Sequence, residues 1–218
     1  MNVQKLASRV RHAVLAGALC LMAGVASATV ALQEGVNYKL LQPAQPTSAA
    51  PGRVEVVEVF WYACPHCFVL EPKVEGWAHA GKPAYVDFVL LPATWNNTLK
   101  THARLFYTMQ LLGKQNLHPE IWREINLKGN RLDTPEAIEA FFTSRGVSKA
   151  DFQKAFQGFA IDSKLMRAED MNRRYKITGT PTIVVNGKYV TDVGMAGGED
   201  KLFEVINALA AKEKSATH

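Results

Sequence analysis

Apolar positions along the chain switch from a strand-like period to a helix-like one and back. Val54 to Tyr62 is rich in valine and aromatics and alternates only weakly, the pattern of a strand covered on both faces and the expected centre of a sheet. Ala84 to Leu91 reads as a second strand closed by Pro92. Gly35 to Gln42 reads as a short edge strand, followed by a Pro-, Ala- and Ser-rich loop over 43–52. From Asn97 the period becomes helical, with Leu99, His102, Ala103, Phe106, Met109 and Gln110 at three-to-four spacing up to Gly113. A helix over Pro119 to Leu127 follows. Thr134-Pro135-Glu136 then supplies an N-cap and a proline at the first helical position, with Gly146 as the stop. Ser148 and Asp151 resemble a capping box, with Asp shorter than the usual Glu. Ile161 to Tyr175 is amphipathic on Leu165, Ala168, Met171 and Tyr175. Strand signals return at Thr182 to Val185, and Asn186-Gly187 predicts a type I′ turn into Lys188 to Val190. Gly194 to Gly198 reads as a flexible loop, Glu199 to about Lys212 as a final helix, and the last six residues as frayed.

The junction after the first strong strand carries the chemistry. Cys64 occupies an N-cap-like position and Pro65 the first helical position, where a missing N–H costs nothing. The helix meets Pro72, where a kink is expected, and continues over Lys73 to Ala80 until Gly81-Lys82-Pro83 ends it. Cys64-Pro65-His66-Cys67 is a C-x-x-C pair, which can serve zinc or redox chemistry. Zinc needs four ligands, and there is no second pair; His12, His79, His102, His118 and His218 lack H-x3-5-H spacing. A dithiol cycling with a disulfide needs only two sulfurs one turn apart at a helix start after a strand. No metal is therefore expected. A static disulfide is the bland alternative, but a bridge across two residues closes too small a loop to add much stability.

Charge and the N-terminus alter the setting. The 218 residues are 48% hydrophobic, enough for one good core with at most a subsidiary lobe. The formal +5 looks basic, but the first 28 residues hold three of the 25 basic residues (Lys5, Arg9, Arg11) and none of the 20 acidic ones, so without them the balance is +2. With no dense Lys/Arg run, nucleic acid is not an expected partner. A basic start, an apolar run from Val14 to Ala26 and Ala26-Ser27-Ala28 read as an export signal cleaved after Ala28. That run is too short for the roughly 20 residues a bilayer crossing needs. Cys20 leaves with the signal, and Leu19 before it is too large for lipoprotein processing. The mature chain then starts at Thr29 with two cysteines, in a compartment where a disulfide can persist.

Strand, C-x-x-C, kinked helix, strand, helices, Thr-Pro, hairpin and helix together resemble an α/β thioredoxin fold with an inserted all-helical domain. The C-P-H-C version behind an export signal resembles the DsbA family of periplasmic thiol-disulfide oxidoreductases. Pro72, five residues after Cys67, matches the helix-kinking proline; Thr180-Pro181 before a strand matches the cis-proline loop; Glu58, six residues before Cys64, matches the family's buried acid. The likeness divides the chain into a signal (1–28), a first thioredoxin-like part (29–96), a helical insertion (97–164) and a second thioredoxin-like part (165–218).

The resemblance implies a site of separated parts. Cys64, at the helix N-terminus where the dipole favours an anion, is expected to be the exposed nucleophile, and Cys67 the resolving thiol. His66 is placed to tune the sulfur as a donor or partial cation. Glu58 shares a strand face with Val54, Val56, Phe60 and Tyr62, so it is either at an exposed margin or buried with a raised pKa. Buried, it would carry the proton when the mixed disulfide resolves. The family's acid can have a lysine neighbour on the next strand, whereas Ala84 to Leu91 carries only Asp87. Thr180 and cis Pro181 would place a backbone edge beside Cys64 to pair with extended clients. Trp61 and Tyr62 read as core.

The expected activity is a monomeric periplasmic oxidase without cofactor beyond the Cys64-Cys67 disulfide. It would donate that disulfide to unfolded exported polypeptides with free thiols, and a DsbB-type membrane quinone reductase would reoxidise it. An isomerase or reductase is the enzymatic alternative, although about 25 residues between Thr29 and Arg53 leave no room for the dimerisation domain such isomerases usually carry. The alternative from another class is a peptide-binding chaperone with incidental cysteines.

Overall fold

In the computed structural model, which describes residues 30–216, strand β1 (Lys39–Leu40) lies at one sheet edge. The expected export signal, with Cys20 and the cleavage site, lies outside the described residues. Strand β2 (Val54–Phe60) is buried at every residue, as its unbroken Val-rich run requires. Helix α1 (Pro65–Gly76) follows and opens into a single π-helical segment, Trp77–Gly81. Strand β3 (Val86–Pro92) then runs parallel to β2, pairing Val54 with Val86 and Glu58 with Leu90.

The helical block comprises α2 (Asn97–Leu111), α3 (His118–Asn126), α4 (Pro135–Thr143), α5 (Lys149–Phe156) and α6 (Phe159–Arg174). Asn96 caps α2 through the N–H of Leu99, and Thr134 caps α4 through that of Ala137. At α5 only half of a capping box forms. Ser148 accepts the N–H of Asp151, but the short Asp151 carboxylate takes the Ser148 hydroxyl at 2.6 Å instead of its backbone N–H. The division expected at 164/165 falls inside α6, which is continuous. Strands β4 (Thr182–Val185) and β5 (Tyr189–Thr191) form the hairpin, and α7 (Val193–Ala196) and α8 (Glu199–Ala216) close the chain.

The strand order is β1-β5-β4-β2-β3, so β2 is interior but β4 occupies the middle. Two apolar layers sandwich the sheet. Val54 and Val56 share a layer with Leu70, Val74, Trp77 and the α8 residues Leu202, Val205 and Leu209. Val57, Val59 and Val184 join a second layer that runs without a break through Leu105, Phe106 and Ala168 to Phe142 and Phe152 of the helical block. Sheet and insertion thus share one core.

Three local expectations are corrected. Val185 pairs with Tyr189, leaving Lys188 in the loop after Asn186 and Gly187, both at positive φ. Gly187 is also required sterically, since a Cβ there would stand 2.1 Å from the Gln45 carbonyl oxygen. The first three residues of the expected flexible loop at 194–198 are the end of α7, which Asp192 caps through the Met195 N–H and Gly197 stops at φ 84°. The expected frayed end is helical to Ala216, because Glu213 accepts from Asn186, Lys188 and Tyr189 and Lys214 donates to the Gly52 carbonyl.

Candidate active site

Strand β2 delivers the chain to Cys64 with extended backbone (φ −87°, ψ 114°), and α1 begins at Pro65. The Cys67 N–H donates to the Cys64 sulfur at 3.3 Å. Both cysteines are free, so the structure presents the dithiol form. Cys64 is less open than expected, at 6% exposure against 1% for Cys67. The cause lies 116 residues downstream: the Thr180 carbonyl oxygen sits 3.3 Å from the Cys64 sulfur, and the Thr180-Pro181 bond is cis. A carbonyl accepts, so this contact belongs to the neutral thiol.

The two sulfurs are driven apart electrostatically. A hydrogen bond from the Cys67 thiol, helped by the backbone N–H groups of Cys67 and His66 and opposed by burial, brings Cys64 down to about 5. Burial and the neighbouring Cys64 sulfur push Cys67 far up. The pair is therefore one ready thiolate and one proton-retaining thiol. His66 differs from expectation: its backbone N–H serves Cys64, while its exposed ring lines a groove of about 360 Å³ with Val69, Thr180, Pro181, Thr182 and Val193. That groove follows the Thr180-Pro181 turn, whose Thr180 carbonyl also meets the Cys64 sulfur.

Glu58 is buried at 1% exposure, and its Oε2 lacks a hydrogen-bond partner. Burial first, then the charges of Glu71 and Cys64, push it up to about 8. Its register partners are Leu90 and Ile183, and the single charge on β3, Asp87, is tied to Arg53 near the strand's start. The departure noted in the sequence is real in space.

Glu71, four residues beyond Cys67, escaped the sequence reading although the helical period puts it on the same face of α1. Its Oε1 lies 3.2 Å from Nε2 of His118 at the start of α3. The same ring has Nδ1 2.6 Å from the Tyr62 hydroxyl, and Trp122 Nε1–H reaches Nε2 at 3.2 Å. Tyr62 and Trp122 are core, each 1% exposed; Trp61 is only partly buried and donates to His102 Nδ1 at 2.8 Å. Among the described residues no cluster of three or more His, Cys, Asp or Glu is arranged to hold a metal.

Known proteins share this architecture. A profile of the DSBA-like thioredoxin domain matches residues 80–210. The thiol:disulfide interchange protein DsbA of Pseudomonas syringae pv. tomato is 37% identical over 192 residues, covering 88% of this chain and 89% of that one. The protein of that name from Azotobacter vinelandii is 39% identical over 176 residues, 80% of this chain and 81% of its own. The crystal structure of Pseudomonas aeruginosa DsbA superposes with a TM-score of 0.79 at 36% identity, over 85% of this chain and 96% of that one.

Proposed function

The chain belongs to the DsbA family of thiol:disulfide interchange proteins, and on that footing we propose that Cys64 and Cys67 are the redox couple of a disulfide donor for exported polypeptides. It is a thiol:disulfide oxidoreductase of thioredoxin fold. A client thiolate attacks the Cys64 sulfur of the oxidised form, the S–S bond breaks, and Cys67 leaves with the electron pair. Glu58, protonated at neutral pH, supplies the proton that Cys67 requires. The client's second thiolate then attacks its own half of the mixed disulfide, and Cys64 departs as a stable thiolate. Two electrons pass from client to enzyme, and no further cofactor enters.

The observation that carries the direction is the low-lying Cys64 thiolate beside a buried, proton-retaining Cys67. A depressed nucleophilic thiol is an established property of DsbA proteins; here its leading source is the Cys67 hydrogen bond. Each pH unit of depression below ambient favours the dithiol by about 1.4 kcal/mol, or about 30 mV for two electrons. The groove past Thr180 and Pro181 receives extended clients through backbone hydrogen bonds, which suit many unrelated sequences. The protein works in the periplasm as a monomer and is reoxidised by a DsbB-type membrane quinone reductase. No helix among the described residues is long and apolar enough to cross a membrane. The test is Cys64→Ser on reduced, unfolded client. Loss of oxidation with client binding retained is expected; undiminished oxidation sinks the assignment, and a glutathione equilibrium as reducing as thioredoxin's overturns the direction.

A further inference from the structure

A second concavity reaches Ala63, the residue before Cys64, from the side of the helical insertion. It encloses about 500 Å³, within the range of about 300–1,000 Å³ usual for ligand sites, and shares no wall residue with the groove past Pro181. Consecutive Cα atoms across a trans peptide are about 3.8 Å apart, so the cavity wall lies next to the nucleophile's own backbone. In chain order Cys64 falls between Ala63, on the wall of this cavity, and His66, on the wall of the groove.

The cavity wall is held rigid from the insertion. Trp61 Nε1–H donates at 2.8 Å to Nδ1 of His102 on α2, and Nε2 of that ring donates to the Arg131 carbonyl oxygen at 2.9 Å. Both nitrogens are committed, one as acceptor and one as donor, in a ring 2% exposed that burial keeps neutral. Asn126 of α3 fixes the next residue by donating to the Tyr62 carbonyl at 2.8 Å. The Trp61 indole nevertheless stays partly open to the cavity, whereas Trp77 and Trp122 are 5% and 1% exposed. A buried histidine that orients an open ring is preorganisation, because the entropy of fixing the ring is lost on folding and not when a guest arrives.

Depth and charge define the guest. Leu99, at 3% exposure, lies deep in the wall with the partly buried Trp61, Ala63 and Ile125, while Asn96 and Arg131, both exposed, stand at the mouth. The cavity's two ionised side chains, Arg131 and Asp133, meet each other at 2.8 Å, so neither awaits a charged guest. We propose that this cavity is a second client subsite, taking an aromatic or branched aliphatic side chain from the client residues on the side of the reacting cysteine that does not lie in the groove. This rests on the reading of Cys64 as the sulfur that joins the client. Because extended chain advances about 3.3 Å per residue, the guest lies within about three residues of the client cysteine. The helical insertion thereby contributes to client choice through α2 and α3, and the backbone pairing at Thr180 stays indifferent to sequence.

The experiment mixes the dithiol protein with peptides whose single cysteine carries a 5-thio-2-nitrobenzoate cap. Cys64 attacks the peptide sulfur, the mixed disulfide forms, and the cap leaves as a coloured arylthiolate whose absorbance gives the rate. One phenylalanine is moved through the positions before and after the cysteine in an otherwise Ser/Gly peptide, and each rate is divided by the same protein's rate with serine there. On the cavity's flank the ratio should rise to about tenfold, the low end of what burying a large apolar side chain gives. Lysine and glutamate should give no such gain. Thr98→Trp, which fills the cavity from α2, should return the ratio to near unity on that flank alone. No gain with phenylalanine in the parent, parental ratios in Thr98→Trp, losses spread over both flanks, or an equal gain with lysine or glutamate overturns the subsite and leaves Cys64 standing. Arylthiolate release that persists in Cys64→Ser overturns the redox reading and the subsite with it. Should Thr98→Trp fail to fold, Ile125→Trp fills the cavity from α3 with the same outcomes expected.

Discussion

Replacing Glu58 by leucine should stabilise the protein while impairing its chemistry, with a gain that grows with pH. The folded-state pKa is raised from 4.5 to about 8, chiefly by burial. Between those values the folded chain holds a proton that the unfolded chain has released, so stability falls by about 1.4 kcal/mol for each pH unit climbed. The deficit is absent below pH 4.5, reaches about 3 kcal/mol at pH 7 and levels near 5 kcal/mol above pH 8. Leucine carries no such proton, matches the apolar partners Leu90 and Ile183, and removes the unpaired Oε2. Urea unfolding of both dithiol proteins at several pH values between 4 and 8 reads the difference directly, provided the m-value is unchanged. In the disulfide form the Cys64 anion, one of the three contributors to the shift, is gone, so the pH dependence should be shallower. A stability difference that does not change with pH, or that shrinks as pH rises, refutes a neutral buried Glu58.

Alkylation of Cys64 by iodoacetamide should follow a thiolate with a midpoint near pH 5, and Cys67→Ala should raise that midpoint because the Cys67 hydrogen bond is the leading cause of the depression. An unchanged midpoint in Cys67→Ala would assign the depression to the helix backbone instead. Since the folded pKa is the lowered one, the dithiol form's advantage over the disulfide form should be present at neutral pH and vanish as pH falls through about 5, as comparative denaturation of the two forms will show. At the other end of the molecule, Glu213→Gln weakens the clasp to Lys188, Tyr189 and Asn186. A loss of about 1–3 kcal/mol in urea unfolding is expected, and a loss near zero would mean α8 is held by its apolar face alone.

Elements governed by local rules were readable from the residues. Pro65 after Cys64, Thr134-Pro135 and the Asn186-Gly187 turn lie where capping and turn chemistry put them. Misreadings arose where a distant group overrules local preference. Gly194 to Ala196 of the glycine-rich 194–198 stretch are helical because Asp192 caps α7, and the charged C-terminus stays helical because the hairpin offers Glu213 three donors. The middle place of β4 depends on the crossing between strands, which hydrophobicity along one strand does not encode.

The amino-acid sequence by itself singled out the pair proposed as the redox couple, since Cys64, the helix start at Pro65 and Cys67 fall within four consecutive residues and obey helix-terminus physics. It also placed Glu58 on a buried strand. Only the tertiary structure decided the electrostatics around them. Thr180 covers Cys64 from 116 positions away, Leu90 stands opposite Glu58, and α3 carries His118 to Glu71 across 47 residues of chain. A proton's affinity for a side chain depends on burial and on charges a few ångströms distant, and those distances exist only after the sheet and the helical insertion have packed into one core.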